Sequence, residues 1–367
     1  MKRILLSTSG ALGDILILFP ILAGIRKAYP DGRITLLNKH RSVAANSPVA
    51  LAQRAGYVDE VVVVSKFKMR LWRFLSLIPR PGRRKYDAVF YLQRDGRSLA
   101  GKLRKEVPFF SRISCTPVRG AVQLRKLDDP MEKYPRMAEL ILERINWRSS
   151  EPVIPGPACI AFSPQERAAA EKYLRSLGIP GNAVPFVCCV GGKKPVCKWP
   201  LDKYEKLLAR IIASTPGVPV FVGGPGDEAA IRRLMAVLPE GKAFYAREFS
   251  ADLWNSICLM SCCAFYLGND TGSMHMAAAA GLKCTGPFGS HAPEGLWEPH
   301  GEGHRMIRCR PPMDCTGCRR QNCPKGDPAP CLTAIDAESI FDAVTAFLAE
   351  HASSEDTASP AERAAKP

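Results

Sequence analysis

The chain has 367 residues, of which 46% are hydrophobic, and it carries 51 Lys and Arg against 35 Asp and Glu. That length exceeds one typical domain and the apolar content is ample for two cores, so the sequence predicts two folded domains. It contains no run of eighteen apolar residues, so we expect no transmembrane helix.

The positive charge is concentrated in one half of the chain. Residues 1–150 hold 29 Lys and Arg against 12 Asp and Glu, whereas the remaining residues hold 22 and 23. The basic half predicts an anionic partner, which could be nucleic acid, an anionic membrane surface or a phosphorylated acceptor. A generally basic soluble surface is the alternative. Because no DNA- or RNA-binding motif accompanies the charge, we do not expect a nucleic-acid partner.

The chain opens with an apolar run at residues 3–7 that predicts a strand, followed by a Gly-bearing turn and a helix over 15–29 that Pro20 could kink. Asp14 interrupts what would otherwise resemble a signal peptide, so we expect a cytoplasmic protein. Asp14 also lies at the carboxyl end of the first strand, where open α/β sheets bind ligands. An acid that merely favours the helix dipole is the alternative.

Three further strands are predicted over 33–37, 60–64 and 86–92, with a helix-compatible segment over 47–56. This alternation predicts a parallel sheet covered by helices. Residues 66–79 mix basic and aromatic side chains, which suits a helix on an anionic membrane surface. An ordinary packed helix with a solvated basic face is the alternative. Four basic residues that follow this segment are predicted to contact the acceptor or the membrane surface: Arg80, Arg83, Arg84 and Lys85.

A Pro-rich connector precedes a second series of strands and helices. The sequence predicts an N-terminal domain over 1–155, a linker over 156–182, a C-terminal domain over 183–350 and a disordered tail over 351–367. Within the second domain, a glycine turn that includes Gly224 precedes a helix. The last predicted helix ends at residue 350.

The most informative stretch runs from residue 266 to residue 281. An apolar strand predicted over 262–267 leads into a turn of small residues and then a helix rich in Ala and Met. This arrangement directs backbone N–H groups and the positive end of a helix dipole towards an anion. A simple helix cap explains the spacing equally well. The candidate binding residues are Asp270, Thr271, Gly272, Ser273 and His275.

Fourteen cysteines are present, most of them inside apolar runs, where they act as small buried hydrophobic residues. Near the C-terminus the spacing C-x5-C-x2-C-x4-C-x7-C suggests a structural zinc. Reduced thiols in a loop are the favoured alternative, and a disulfide is opposed by a cytoplasmic location. The possible zinc ligands are Cys315, Cys318, Cys323 and Cys331.

Four blocks, in order, resemble the bacterial ADP-heptose:lipopolysaccharide heptosyltransferases of glycosyltransferase family nine. The blocks are Ser7–Asp14 with Phe19–Pro20, Lys198–Pro200, Val222–Asp227, and Gly268–His275 through Gly289. The resemblance implies an α/β fold of the GT-B type, with two Rossmann-like domains whose parallel sheets face a central cleft. It also implies that the C-terminal domain binds a nucleotide-sugar, with Gly224 among the donor-binding residues in the turn on the nucleotide side. The N-terminal domain would bind an acceptor, lipid A–core, at the inner membrane.

The resemblance further implies inverting transfer of a heptose from an ADP-activated donor, without a metal or other cofactor. Asp14 would act as the base. Lys198 and the N-terminus of the helix that begins within the block Gly268–His275 would bind the leaving diphosphate. We call the turn before this helix the signature turn. His275 could contact a phosphate, although a structural histidine is equally consistent with its position. Lys193 and Lys194 replace the small polar residues that are commoner in this loop.

Two other interpretations stay open. The chain could transfer a different sugar from another nucleotide donor, for instance in O-antigen or capsule assembly. It could also be a regulator that binds a nucleotide or nucleic acid without catalysis. The sequence fixes neither the acceptor hydroxyl nor the oligomeric state.

Overall fold

A computed structural model describes residues 2–8, 12–38, 47–63, 88–92, 115–116, 136, 138–139, 142, 153–156, 159–318 and 320–357. The chain divides into two units. Unit 1 comprises residues 1–128 and 135–158, and unit 2 comprises residues 129–134 and 159–367.

Unit 1 is built on a parallel sheet whose strand order is β3-β2-β1-β4-β5. Its strands are nearly continuous apolar runs, as expected for a sheet covered on both faces. The strands are β1 (Arg3–Thr8), β2 (Arg33–Asn38), β3 (Glu60–Val63), β4 (Ala88–Leu92) and β5 (Cys115–Thr116). The helices are α1 (Leu12–Leu16), α2 (Phe19–Ala28) and α3 (Pro48–Arg54).

The helix predicted over 15–29 is two helices. α1 ends at Leu16, two turn residues follow, and Pro20 occupies one of the first positions of α2. Proline is accepted there because the first N–H groups of a helix have no acceptor within the helix. The predicted kink is therefore a break between two helices. Gly156 donates its N–H to the Pro20 carbonyl, which ties residues 153–156 to α2.

Unit 2 is built on a six-stranded parallel sheet with the order β11-β10-β9-β6-β7-β8. Its strands are β6 (Val184–Cys189), β7 (Gly217–Phe221), β8 (Phe244–Tyr245), β9 (Tyr266–Gly268), β10 (Cys284–Pro287) and β11 (Arg305–Ile307). Its helices are α4 (Pro164–Ser176), α5 (Leu201–Ser214), α6 (Glu228–Val237), α7 (Arg247–Ser250), α8 (Leu253–Met260), α9 (Gly272–Ala279), α10 (Pro330–Thr333) and α11 (Ala337–Thr357).

Two predicted boundaries in unit 2 are wrong. The strand predicted over 262–267 begins only at Tyr266, because α8 and the turn after it occupy the preceding residues. The last helix does not end at residue 350 but continues to Thr357, into the stretch assigned to a disordered tail.

Helix α4, within the stretch expected to be a linker, packs in unit 2. Ser163 and Glu166 form a capping box that begins this helix. The second carboxylate oxygen of Glu166 accepts a hydrogen bond from the indole N–H of Trp254 at 2.8 Å. The Trp254 ring also meets Phe162 edge to face, with ring centroids 5.2 Å apart. These contacts fix α4 against α8.

Both sheets reverse their strand order beside their first strand. In unit 1 the reversal lies between β1 and β4, and in unit 2 it lies between β6 and β9. Open parallel sheets bind ligands at the carboxyl ends of the strands that flank such a reversal. Asp14 follows β1, and the turn 269–271 follows β9, so the fold places both predicted motifs at these positions.

Candidate functional site

The centre of the candidate site in unit 2 is Asn269, which is fully buried at the reversal between β6 and β9. Its amide nitrogen donates to the carbonyl groups of Val190 at 2.7 Å and Gly191 at 3.0 Å. Its oxygen accepts from the backbone N–H of Trp199 at 3.1 Å and from the hydroxyl of Tyr204 at 2.9 Å. One amide therefore joins the loop after β6, the start of α5 and the signature turn.

Asp270, the next residue, meets two side chains from other loops. Its Oδ2 lies 3.3 Å from His291 Nε2 and 3.9 Å from Cys197 Sγ. Cys197 Sγ lies 3.7 Å from the same His291 nitrogen. The side chains of His291 and Asp270 are 9% and 11% exposed, so all three groups are largely removed from water. Burial raises the pKa of the Cys197 thiol to about 12, with the Asp270 carboxylate as the next cause.

Helix α9 begins directly after this turn. Thr271 is its N-cap residue with extended backbone angles, and its carbonyl accepts the N–H of Met274 at 3.1 Å. Gly272 and Ser273 are the first two helical residues, whose N–H groups have no acceptor within a helix. The predicted strand–turn–helix arrangement is therefore present, and these N–H groups suit an anionic ligand.

Lys198 lies beside the N-terminus of α9. A Cβ built on Gly192 would lie 3.0 Å from Thr271 Cγ2 and 3.8 Å from Lys198 Cγ, so these two side chains flank the glycine. Lys198 is exposed, as are Lys193 and Lys194 on the same loop. The loop after β6 thus brings three lysines to the carboxyl edge of the sheet.

The glycine turn after β7 contacts the loop after β6. The N–H of Gly224 donates to Asp227 Oδ2 at 3.0 Å, so it already has an acceptor. A Cβ built on Gly191 would lie only 1.9 Å from Asp227 Oδ1, which shows that this carboxylate lies directly against the Gly191 backbone. Asp227 therefore joins the loops that follow β6 and β7.

His275 lies in the first turn of α9 and is 7% exposed. Asp14 is half-buried in the first turn of α1 in unit 1. The basic residues predicted to meet the acceptor or a membrane lie outside the described residues: Arg80, Arg83, Arg84 and Lys85. The described part of the chain has no helix both long and apolar enough to cross a bilayer.

No residue of the loop after β10 was predicted as a site residue, but this loop contributes His291 to the site. Arg308, whose side chain is 8% exposed, donates to the Ala292 carbonyl at 3.1 Å and lies 4.2 Å from the centre of the Phe288 ring. His291 stacks parallel to the same ring, with centroids 6.3 Å apart. Burial lowers the pKa of Arg308, and the nearby Glu298 opposes that shift. Arg308 and Phe288 thus hold the loop that carries His291.

The C-terminal cysteines lie close to the same loop. Each of the thirteen cysteines whose side chains the structure describes is a free thiol. One small pocket is lined by His291 together with the four cysteines predicted as possible zinc ligands: Cys315, Cys318, Cys323 and Cys331.

Residues 158–327 match the model of glycosyltransferase family 9 (heptosyltransferase). The match covers 170 of the 367 residues, so the similarity to family 9 is shown for this part of the chain. The matched range contains Asn269, Asp270, Lys198, His275 and His291, whereas Cys331 of the neighbouring pocket lies beyond it. Among curated relatives, the lipooligosaccharide heptosyltransferase 2 of Haemophilus influenzae is 23% identical over 228 residues, which cover 58% of this chain and 63% of that protein. The match thus spans less than two thirds of that relative's length.

Solved family 9 structures have a similar fold. A family 9 glycosyl transferase from Veillonella parvula superposes with a TM-score of 0.70 at 18% identity, covering 95% of this chain and 98% of that one. The E. coli ADP-heptose lps heptosyltransferase II gives a TM-score of 0.64 at 19% identity, with 95% and 99% covered. The predicted GT-B type α/β fold with parallel sheets is therefore confirmed.

Proposed function

We propose that this protein is an inverting glycosyltransferase that moves a heptose from an ADP-activated donor to a lipopolysaccharide core acceptor. The observation that carries the proposal is the anion-binding edge of the unit 2 sheet, where Lys198 flanks the mouth of α9 at the strand-order reversal. The family match covers this edge, and the names of the relatives supply the sugar, the ADP group and the acceptor class.

On the donor side, the leaving group is a nucleoside diphosphate, whose negative charge increases as the glycosidic bond breaks. The Lys198 ammonium and the N–H groups of Gly272 and Ser273 would stabilise that charge without an exchangeable Mg²⁺. Asp270 and Thr271 would contact donor hydroxyl groups. His275 would assist the phosphate contacts.

On the acceptor side, inversion requires a base that removes the proton of the attacking hydroxyl while the anomeric carbon is attacked from the face opposite the leaving group. We assign this role to Asp14, because it lies at the strand-order reversal of the unit 1 sheet. A carboxylate at this end of a parallel strand is in the position at which such sheets bind substrates.

The acceptor would be an anionic lipid, lipid A–core, at the cytoplasmic face of the inner membrane, to which the protein would bind peripherally. The excess of basic residues in the first 150 residues supports this assignment. Binding to vesicles that contain anionic lipid should weaken as salt is raised. It should also weaken when Arg80, Arg83, Arg84 and Lys85 are replaced by Gln together. Binding that is insensitive to both changes would contradict the membrane assignment.

The donor is tested by a mass-spectrometric screen in which the full chain is incubated with ADP-heptose, UDP-sugars or GDP-sugars and with lipid A–core acceptors of defined truncation. We expect a mass increase of one heptose only with ADP-heptose, and we expect it without added Mg²⁺. Transfer only from another nucleotide-sugar would support the alternative of O-antigen or capsule assembly. No transfer, combined with measurable ADP binding, would support a nucleotide-binding protein without catalytic activity.

A further inference from the structure

Three ligating atoms converge beside the donor edge of unit 2. They are Cys197 Sγ from the 3-10 turn Pro195–Cys197, Asp270 Oδ2 from the turn after β9, and His291 Nε2 from the loop after β10. Among the described residues, no other three His, Cys, Asp or Glu side chains bring their ligating atoms so close together. The three residues come from distant parts of the chain, and we call them the Cys–Asp–His cluster.

The distances within the cluster are too long for good direct bonds. A hydrogen bond between a charged imidazolium and a carboxylate is about 2.7–2.9 Å long, whereas His291 Nε2 lies 3.3 Å from Asp270 Oδ2. The Cys197 thiol lies 3.9 Å from that oxygen and 3.7 Å from that nitrogen. In addition, the single Nε2 atom faces both partners, while the other ring nitrogen, Nδ1, is buried and has no hydrogen-bond partner among the residues that the structure describes.

The same distances fit a shared cation. Zinc bonds of about 2.3 Å to sulfur and about 2.0 Å to nitrogen or oxygen, at tetrahedral angles, separate the ligand atoms by roughly 3.3–3.6 Å. The observed separations of 3.3, 3.7 and 3.9 Å lie at or slightly above these values. A shift of the sulfur by a few tenths of an ångström would place the three atoms at three corners of a tetrahedron.

The ligand set selects the class of metal. A cysteine sulfur with an imidazole nitrogen favours a borderline or soft divalent cation and disfavours Mg²⁺, which prefers all-oxygen ligands in octahedral geometry. Burial also favours a bound cation, because the Asp270 carboxylate, whose side chain is 11% exposed, is stabilised by positive charge nearby.

We propose that Cys197, Asp270 and His291 bind one Zn²⁺. The fourth position would be taken by water or by a phosphate oxygen of the donor. The cation would link the 3-10 turn, the turn after β9 and the loop after β10 at the carboxyl edge of the sheet, and it would fix the position of Asp270. It is a resident ion, distinct from the exchangeable Mg²⁺ that the proposed transfer does not require, and the site goes beyond the proposed function.

The first test measures zinc in the purified full-length chain by plasma mass spectrometry after dialysis against zinc and gel filtration. We expect about one zinc per wild-type chain. In C197S and H291N we expect the dissociation constant for zinc to rise by at least about 100-fold. The matched control is C318S, because Cys318 belongs to the neighbouring pocket that His291 also lines. C318S should keep its zinc.

Zinc lost in C318S but kept in C197S would place the metal among the C-terminal cysteines and overturn the proposal. Less than about a tenth of an equivalent in the wild-type chain, after loading with zinc, would also overturn it. The measurement does not depend on transferase activity, so it stands whether or not the donor screen succeeds.

Cobalt substitution provides the second readout, in case one variant fails to fold. Co²⁺ bound by the wild-type chain should give a thiolate-to-metal charge-transfer band in the near ultraviolet and the strong visible bands of a tetrahedral ion. The charge-transfer band should be lost in C197S and kept in C318S, with circular dichroism used to confirm folding. If C197S is unfolded, folded H291N must lose the tetrahedral visible bands. Unchanged spectra in the folded variant would reject the site.

Discussion

The two units use the same local pattern, a parallel strand followed by a turn and a helix, but they surround its carboxylate differently. In unit 1, Asp14 lies in the first turn of a five-residue helix and is half-buried. In unit 2, Asp270 precedes an eight-residue helix, is 11% exposed, and meets side chains from two other loops. The local pattern therefore locates a ligand-binding edge, whereas the partners supplied by distant loops decide its chemistry. This difference suits the base that we propose in unit 1 and the donor site that we propose in unit 2.

The largest effect should come from removing the carboxylate of unit 1. We expect Asp14→Ala to lower kcat by about 10³-fold, because a positioned general base contributes on this scale. ADP affinity, measured by calorimetry, should stay within about twofold, since we place the donor in unit 2. Asp31→Ala, at an exposed position of the same unit, is the matched control and should leave kcat unchanged. Equal rates in wild type and Asp14→Ala would remove Asp14 from the mechanism.

The second effect concerns the amide at the centre of the unit 2 site. Asn269→Leu keeps the size of the side chain but leaves two carbonyl groups, a backbone N–H and the Tyr204 hydroxyl with one partner fewer. Since a buried polar group left without a partner costs about 1–3 kcal/mol, we expect the free energy of unfolding to fall by about 3 kcal/mol or more. Urea unfolding measures this change.

The matched control for that variant is Asn255→Leu, at an exposed position on α8. A surface change of this kind should alter the free energy of unfolding by no more than about 0.5 kcal/mol. Similar losses in the two variants would mean that the hydrogen bonds of Asn269 do not hold the loops together.

A third, smaller effect should come from the lysine beside the helix mouth. Lys198→Ala should lower kcat/KM by about 10²-fold, because one electrostatic contact to a leaving group is commonly worth this much. Weaker ADP binding should accompany the loss. Lys206→Ala, on an exposed face of α5, provides a control of equal charge change. If both variants behave alike, the effect of Lys198 is one of net charge only.

The smallest effect is a pH dependence. Burial raises the pKa of Cys189 to about 12, and a hydrogen bond involving Ser273 opposes the shift. In the unfolded chain this thiol ionises near pH 8.5, so between about pH 9 and about 12 the unfolded state releases a proton that the folded state keeps. Stability is therefore present below this window and lost as the pH rises through it.

Replacing this residue tests the linkage. In Cys189→Ala the free energy of unfolding should fall less steeply above pH 9, by up to about 1.4 kcal/mol per pH unit. Urea unfolding at several pH values from 8 to 10 gives the slopes. Parallel curves for the two proteins would show that Cys189 is not the group that titrates.

Much of the sheet edge could be predicted from sequence because it depends on local signals. The turn at residues 269–271 and the helix after it were predicted to within one residue, since small residues followed by an Ala-rich run specify a turn and a helix. The strand before them was predicted too long. Helix α8 and strand β9 are both apolar, so the pattern of apolar and polar residues does not show where one ends and the other begins. The break between α1 and α2 was only suggested, by Pro20.

The partners of the site could not be predicted in the same way. Cys197 and His291 are 94 residues apart, and Asn269 lies 65 residues from Tyr204. Their proximity follows from strand order, which a single sequence does not reveal. The resemblance to family 9 indicated the signature turn, but neither the amide that joins its loops nor the Cys–Asp–His cluster carries a local motif.

The carboxylate of Asp227 occupies the space that a side chain on Gly191 would need. Two turns that are far apart in sequence are therefore fitted to each other at this point. A side chain introduced at Gly191 alone should displace the Asp227 carboxylate, which also accepts the Gly224 N–H, and lower the free energy of unfolding. Libraries that randomise both loops together, with the glycine and the acid exchanged as a pair, should retain many more folded members.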